Sequence, residues 1–309
     1  MNGDAGGSGL HRIACRIGAD KPLYQHLVVG DDTWLWVDTG IRNTPDDFLW
    51  DYLDRTGLTP APRQLAVITH PDVDHYGGLA RMRSRLPQLI AGAHEWDAPL
   101  IAAHDVVMAQ RYLVHGPAGV TPSPERQAQL MERAGQESGV DLLLTGGETF
   151  DLGSAGSWRV LHLPGHSRGH LGLWRERTKE AIIGDALLGW GTLNCDGLPV
   201  QAPPYFDVPG YLNTIEQIAE LAPQTLYTSH FPLLTGAMVG DFLASCREAV
   251  RQIGDAVAAA MSGRGGTLEQ LCRRVHSSLQ RWPAGTELTL ADAVSAHLAD
   301  LGARTVGVP

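Results

Sequence analysis

No stretch of this chain approaches the roughly 18 uninterrupted apolar residues of a membrane span, so no membrane partner is expected. The opening Met1-Asn2-Gly3-Asp4-Ala5-Gly6-Gly7-Ser8-Gly9 lacks the basic and apolar regions of a secretory signal. It reads as the start of a flexible leader, 1–22. Cysteine is scarce. Cys15, Cys195, Cys246 and Cys272 are scattered without C-x-x-C spacing, which fits reduced thiols in a cytoplasmic protein. Positive charge is short as well: 24 Lys and Arg against 34 Asp and Glu leave a net charge of -10. Binding to phosphate backbones rests on basic patches, so nucleic acid is not an expected partner.

What the chain does have is chemistry at the ends of apolar runs. His70-Pro71-Asp72-Val73-Asp74-His75 follows the apolar run 65–69 and puts two imidazoles and two carboxylates within one turn of chain. Imidazole nitrogen and carboxylate oxygen suit borderline and hard divalent metals. Three more donors follow apolar runs of their own: His166 after 158–163, Asp185 after 181–184 and His230 after 225–229. Strand ends gathered at one sheet edge are where ligands collect in layered α/β folds. The pattern predicts a metal site, with two ions.

Punctuation along the chain supports that architecture. Segments 25–29 and 33–37 flank Gly30-Asp31-Asp32 and read as a hairpin. Thr44-Pro45-Asp46-Asp47 reads as a helix start with a hydroxyl cap and proline in the first turn, ending at Gly57. A basic helix over 77–85 and a strand over 89–92 continue the alternation of an α/β fold. Residues 96–139 form a helical insertion, of the kind that serves as a lid or pocket wall. From Asp241 only helices are expected, with Thr267-x-x-Gln270 and Thr289-x-x-Asp292 as capping boxes and an extended piece over 304–308. The last predicted helix, 290–301, carries no Lys or Arg, so this C-terminal part reads as a packing or homodimerisation element.

Together these blocks resemble the metallo-β-lactamase-fold hydrolase superfamily, whose signature is His-x-His-x-Asp-His followed by a distal His, an Asp and a final His. Val37-Asp38-Thr39-Gly40 and Tyr76-Gly77-Gly78 resemble further turns of that superfamily, and Pro164-Gly165-His166-Ser167-Arg168-Gly169-His170 is similar to a block of its glyoxalase-like and lactonase-like branches. The resemblance implies an αββα sandwich over 23–236, with the helical insertion at 96–139 and a small winged-helix-like C-terminal domain at 237–309. It implies one ion held by His70, Asp72 and His166, a second by Asp74, His75 and His230, and Asp185 bridging. Asp72 stands where most members carry the second histidine. It is expected as a ligand, with a role as an acceptor orienting His70 or a water as the other reading. A carboxylate there tilts selectivity from zinc toward iron or manganese.

The implied reaction is cleavage of an ester, thioester or lactone of a small or carrier-bound acyl substrate by a hydroxide shared between the ions, with Asp74 as the catalytic carboxylate. A serine nucleophile is not expected. Asp72 also motivates an alternative, a di-iron oxidoreductase. His170 is expected to support His166 without ligating. Trp190, Tyr205 and Phe206 are candidate pocket walls, whereas His94, His104, His115 and His162 read as ordinary histidines.

Overall fold

Alternation decides where the fold begins. In the computed structural model, which describes residues 9–262 and 266–306, Ile13, Cys15 and Ile17 are buried between exposed Ala14 and Arg16. They belong to β1 (Leu10–Ile17), which pairs antiparallel with β2 (Lys21–Val29) from Leu10 opposite Val28 to Ile17 opposite Lys21. The leader expected through residue 22 therefore gives way to an edge strand at Leu10. Its first eight residues lie outside the described part. The hairpin from β2 to β3 (Thr33–Val37) is present as expected.

Beyond β3 the sheet becomes parallel, through β4 (Arg63–Val67), β5 (Ile90–His94) and β6 (Leu142–Leu144). A second six-stranded sheet is formed by β7 (Thr149–Asp151), β8 (Ser157–His162), β9 (Leu171–Arg175), β10 (Glu180–Gly184), β13 (Thr225–Thr228) and β14 (Leu234–Thr235), and a two-stranded ribbon by β11 (Thr192–Leu193) and β12 (Pro199–Gln201). The sheets meet face to face. Val28, Leu35, Val37 and Val67 pack with Trp158, Val160, Leu171, Leu173 and Ile182 in one buried cluster. Parallel strands buried on both faces read as continuous apolar runs, and β3, Thr-Trp-Leu-Trp-Val, is buried at every position.

Helices cover both outer faces. Leu53 of α1 (Trp50–Thr56) and Leu79 and Met82 of α3 (Leu79–Arg85) pack on the first sheet with Ile13, Leu23 and Trp36; between them, α2 (Val73–Tyr76) carries the second half of the first motif. A π-turn over Pro45–Leu49 precedes α1, and Thr44 Oγ1 accepts from Ile41 N rather than capping the helix. Gly57 ends α1 in the left-handed conformation, as expected. The second sheet is covered by α7 (Val208–Leu221) and α8 (Ala237–Met261). The result is an αββα sandwich.

The insertion is helical, as predicted: α4 (Ala98–Ala102), α5 (His104–Val107), a π-turn (Met108–Tyr112) and α6 (Pro124–Ala134), the last capped by Ser123. Its end is pressed onto the motif turn. A Cβ on Gly77 would stand 2.2 Å from Arg133 O, and one on Gly78 2.2 Å from Thr39 O. Only glycine permits that approach of three backbone segments.

The C-terminal helices α8, α9 (Leu268–Leu279) and α10 (Ala291–Val306) depart from the expectation of a separate winged-helix-like domain. Val250, Ile253, Val257, Leu271, Val275 and Val294 share one continuous core with Leu163, Ile183, Tyr211 and Ile215. The boundary at 237 marks a change of element type, not a break in packing. The Thr267–Gln270 capping box forms. The one predicted at Thr289 does not, because its hydroxyl accepts from Ala202 N and donates to Thr286 O. No wing forms over 304–306, where α10 continues; 307–309 lie outside the described residues.

Candidate metal centre

Strand ends of both sheets converge on one cleft. Following β3, β4, β8, β10 and β13 come Asp38, His70, His166, Asp185 and His230, while α2 adds Asp74 and His75. Gly165 makes the turn before His166 at φ +131°, and a Cβ there would lie 2.5 Å from Tyr211 Cα. The donor atoms fall into two groups, His70, His166 and Asp185 in one, and Asp74, His75 and His230 in the other, each with its atoms within 4.8 Å of one another.

The imidazoles are aimed. His75 Nδ1 is 2.8 Å from Asp38 Oδ2, His230 Nδ1 2.8 Å from Pro22 O, and His166 Nδ1 2.7 Å from Pro204 O. His70 Nδ1 contacts Thr69 Oγ1, which donates to Asp38 Oδ2. Holding Nδ1 in this way turns Nε2 toward the cleft. His70 Nε2, His75 Nε2, His230 Nε2 and Asp185 Oδ1 are all buried with no hydrogen-bond partner. Leaving such groups unpaired costs about 1–3 kcal/mol each. Four of them converging in one cleft is the donor set a divalent ion satisfies, so the residues present fit such ions.

Asp185 Oδ2 lies 3.5 Å from His75 Nε2 and 3.2 Å from His230 Nε2. It also joins the group with His70 and His166, so it lies between the two groups of donors. Burial opposes ionisation of its carboxyl, but His230 and His75 hold it well below the usual carboxylate range. Asp74 is treated alike: burial pushes it up, and Lys21, 3.1 Å from Oδ2, together with His230 and His75, brings it well below. Burial lowers His70 to about 4, with His75 and His166 adding repulsion. For His75 the burial cost is outweighed by Asp38 and Asp185, which raise it well above its ordinary value.

Asp72, whose Oδ2 lies 3.5 Å from His70 Nε2, carries a partner that the expected ligand set did not include. Arg111, from the insertion, grips it with both arms of its fork: Nε to Oδ1 at 2.7 Å and Nη2 to Oδ2 at 2.9 Å. Burial pushes the Asp72 carboxyl up; the guanidinium overcomes this and holds it well below the usual range. The third donor grouped with His70 and His166 is Asp185 rather than Asp72, although Asp72 Oδ2 still lies 3.2 Å from His166 Nε2. Arg111 Nη1 donates to His166 O and lies 3.8 Å from Asp292 of α10, whose Oδ1 is 2.7 Å from His115 Nε2. The C-terminal helices thus reach the cleft through an ion-pair chain. Among insertion residues, His115 supports this chain instead of serving as a plain helix-face histidine.

Other candidates divide. His170 stacks on His70 at 4.8 Å between ring centroids, with both its nitrogens buried and unpaired; its contact with His70 is packing. Tyr205 is not a pocket wall. It is fully buried, stacked on Tyr211 and bonded to His297. Trp190 packs on Trp282 under Arg281 and is not among the residues lining the cleft, although Leu188 and Thr192 are. Phe206 does line a cavity of about 280 Å³ with Trp96, Leu100, Arg111, Val114 and Arg168. His94 and His162 pack against each other at 4.4 Å between ring centroids, tilted by 32°. Gly165-His166-Ser167-Arg168-Gly169 has the letters of a nucleophile elbow, but Ser167 is buried between antiparallel strands and donates to Asp97.

Sequence reasoning missed Lys21, Asp38 as an orienting acceptor, Asp97 and Arg111. Asp38 lay in a quoted block, and its φ of 64° marks the strained turn that aims it. Lys21 and Arg111 stand in no motif.

Two layers of six strands between helices, with such donors at one edge, define the class of metallohydrolase sandwiches. The profile of the Metallo-beta-lactamase superfamily matches residues 24–230, and the chain belongs to that superfamily and to its hydrolytic enzymes. It is 30% identical over 213 residues to a human (Homo sapiens) protein named acyl-coenzyme A thioesterase MBLAC2, covering 67% of this chain and 70% of that one. A hydroxyacylglutathione hydrolase of Methylococcus capsulatus is 45% identical over 53 residues, 17% of this chain and 20% of that one. Among solved structures, a metallo-beta-lactamase family protein of Thermus thermophilus superposes with a TM-score of 0.73 at 20% identity, over 96% of this chain and 94% of that one.

Proposed function

We propose that this enzyme hydrolyses thioesters of carrier-bound acyl groups, using two divalent ions, zinc foremost. The observation that carries the reading is the set of unpaired, buried donors, His70 Nε2, His75 Nε2, His230 Nε2 and Asp185 Oδ1. The names of the thioesterase and of the glutathione-thioester hydrolase supply the bond class. His70, His166 and Asp185 would hold one ion, and Asp74, His75 and His230 the other, with Asp185 shared. When bound, such ions polarise a carbonyl and acidify water.

The chain's own groups do the rest. Asp74, kept ionised by Lys21, orients the attacking water and accepts its proton at a carboxylate oxygen. The water oxygen bonds to the acyl carbon, the carbon–sulfur bond breaks, and the proton leaves with the thiolate. Arg111, anchored by Asp72, also brings Nη2 to 3.3 Å from His166 Nε2, so it positions Asp72 and His166 beside the cleft. In this reading Asp72 acts through Arg111 rather than as a ligand. That removes the motive for a di-iron oxidoreductase, which rested on Asp72 as a ligand.

The test is a parallel assay of metal-loaded protein on matched acyl-CoA, S-acylglutathione, oxygen-ester and lactone substrates. The expected result is thioester turnover that a chelator abolishes and zinc restores. Turnover of lactones or oxygen esters without thioesters would overturn the assignment.

A further inference from the structure

Two guanidiniums face the metal cleft without ion pairs among the described residues. Arg126 and Arg133 are seven residues apart on α6, two turns of helix, and so lie on one face. Both line the cleft, of about 70 Å³, whose walls include Asp72, Asp74, His166 and Asp185. Exposed arginines of the C-terminal helices are paired instead: Arg247 with Glu216, Arg251 with Glu248, Arg273 with Glu269. Lys21, a further cation of the cleft, is taken by Asp74.

Arg133 is half-buried, and its backbone is fixed. Its carbonyl accepts from Arg42 N at 2.8 Å and lies against Gly77. Burial first and then the neighbouring Arg126 disfavour its charge, and Asp74 and Glu132 offset this only in part. A partly desolvated cation beside a like charge is costly unless an anion compensates. The whole chain has a net charge of -10, so an anionic ligand would find attraction concentrated at this mouth rather than over the surface.

We infer that Arg126 and Arg133 form the binding site for the anionic leaving-group end of the thioester, its phosphates or carboxylates, at the mouth of the metal cleft. This rests on the thioester reading. Guanidiniums bind both anions through charge-assisted, often bidentate hydrogen bonds. The two arginines touch the carrier, not the reacting carbonyl, so they set KM and leave kcat to the residues around the ions.

The experiment compares the metal-loaded wild type with Arg126→Gln/Arg133→Gln on one acyl group carried by coenzyme A, glutathione or uncharged N-acetylcysteamine. For a charged carrier the expected loss is about tenfold or more in KM, with kcat within about twofold and the N-acetylcysteamine thioester unchanged. A larger loss on the CoA thioester assigns phosphates; a larger loss on the glutathione thioester assigns carboxylates. Equal losses on all three substrates, or none on any, overturn the proposal. Calorimetry with adenosine 3′,5′-bisphosphate and with glutathione, at low and high salt, reads the site without turnover. Salt-sensitive binding that the variant loses supports the site even if no thioester is hydrolysed, and absence of binding by both probes overturns it. Circular dichroism of the variant separates misfolding from lost recognition.

Discussion

The two halves of the cleft are built from similar residues and held in different ways. In the half containing Asp74, His75 and His230, protein groups aim the ring nitrogens (Asp38 on His75, Pro22 O on His230), and the cleft-facing atoms are left unpaired. In the half containing His70 and His166, the extra carboxylate, Asp72, is spent on Arg111. Both halves aim their rings from behind, since Thr69 and Pro204 O hold His70 and His166 at Nδ1 in the same way. The second also couples its donors to the insertion and, through Asp292, to the C-terminal helices.

The comparison breaks most severely if the first half is dispensable. Replacing His75 or His230 with alanine should cost on the order of 10³-fold or more in turnover and lower the bound metal, whereas His104→Ala should do neither. Activity assays with metal analysis by mass spectrometry check this, and wild-type turnover in metal-depleted His230→Ala would reject the ligand assignment.

Next in size is the ion pair of the second half. Arg111→Met leaves a buried carboxylate uncompensated and should destabilise the metal-free protein by about 3–5 kcal/mol in denaturant unfolding. Asp72→Leu added to it should recover much of that loss. If the double variant is no more stable than Arg111→Met, the pair is not the source.

A smaller effect sharpens the first half. Asp38→Asn keeps the shape but weakens the acceptor behind His75, and should reduce metal affinity by about 10- to 100-fold in competition with a chelating dye. Unchanged affinity would leave Asp38 a purely structural residue.

The sandwich was legible because its signals are local. Apolar strands such as Thr33–Val37, the helix stop at Gly57 and the ordered motif blocks can each be read within a few residues. The donors were legible for the same reason, since His70, His166, Asp185 and His230 each follow a strand and Asp74 and His75 share the motif after β4. Arg111 was not, because its importance depends on a fork closing across 39 residues of sequence. Lys21 was hidden by the leader reading, although the alternation of Ile13, Cys15 and Ile17 marked a strand. Tyr205 and Trp190 were misjudged because a Gly/Pro-rich loop gave no periodicity to separate a core aromatic from a wall. The C-terminal helices were found but given too much independence. Their apolar faces are visible in sequence, whereas the sheet helix they pack on is not.

The central claim is that Asp72 holds Arg111 and not an ion. Counting metals per chain in purified Asp72→Ala, loaded alongside the wild type and analysed by native mass spectrometry, tests it most directly. The same number of tightly held ions as the wild type is predicted, with turnover reduced through the displaced Arg111. Loss of one ion per chain would contradict it and make Asp72 a ligand.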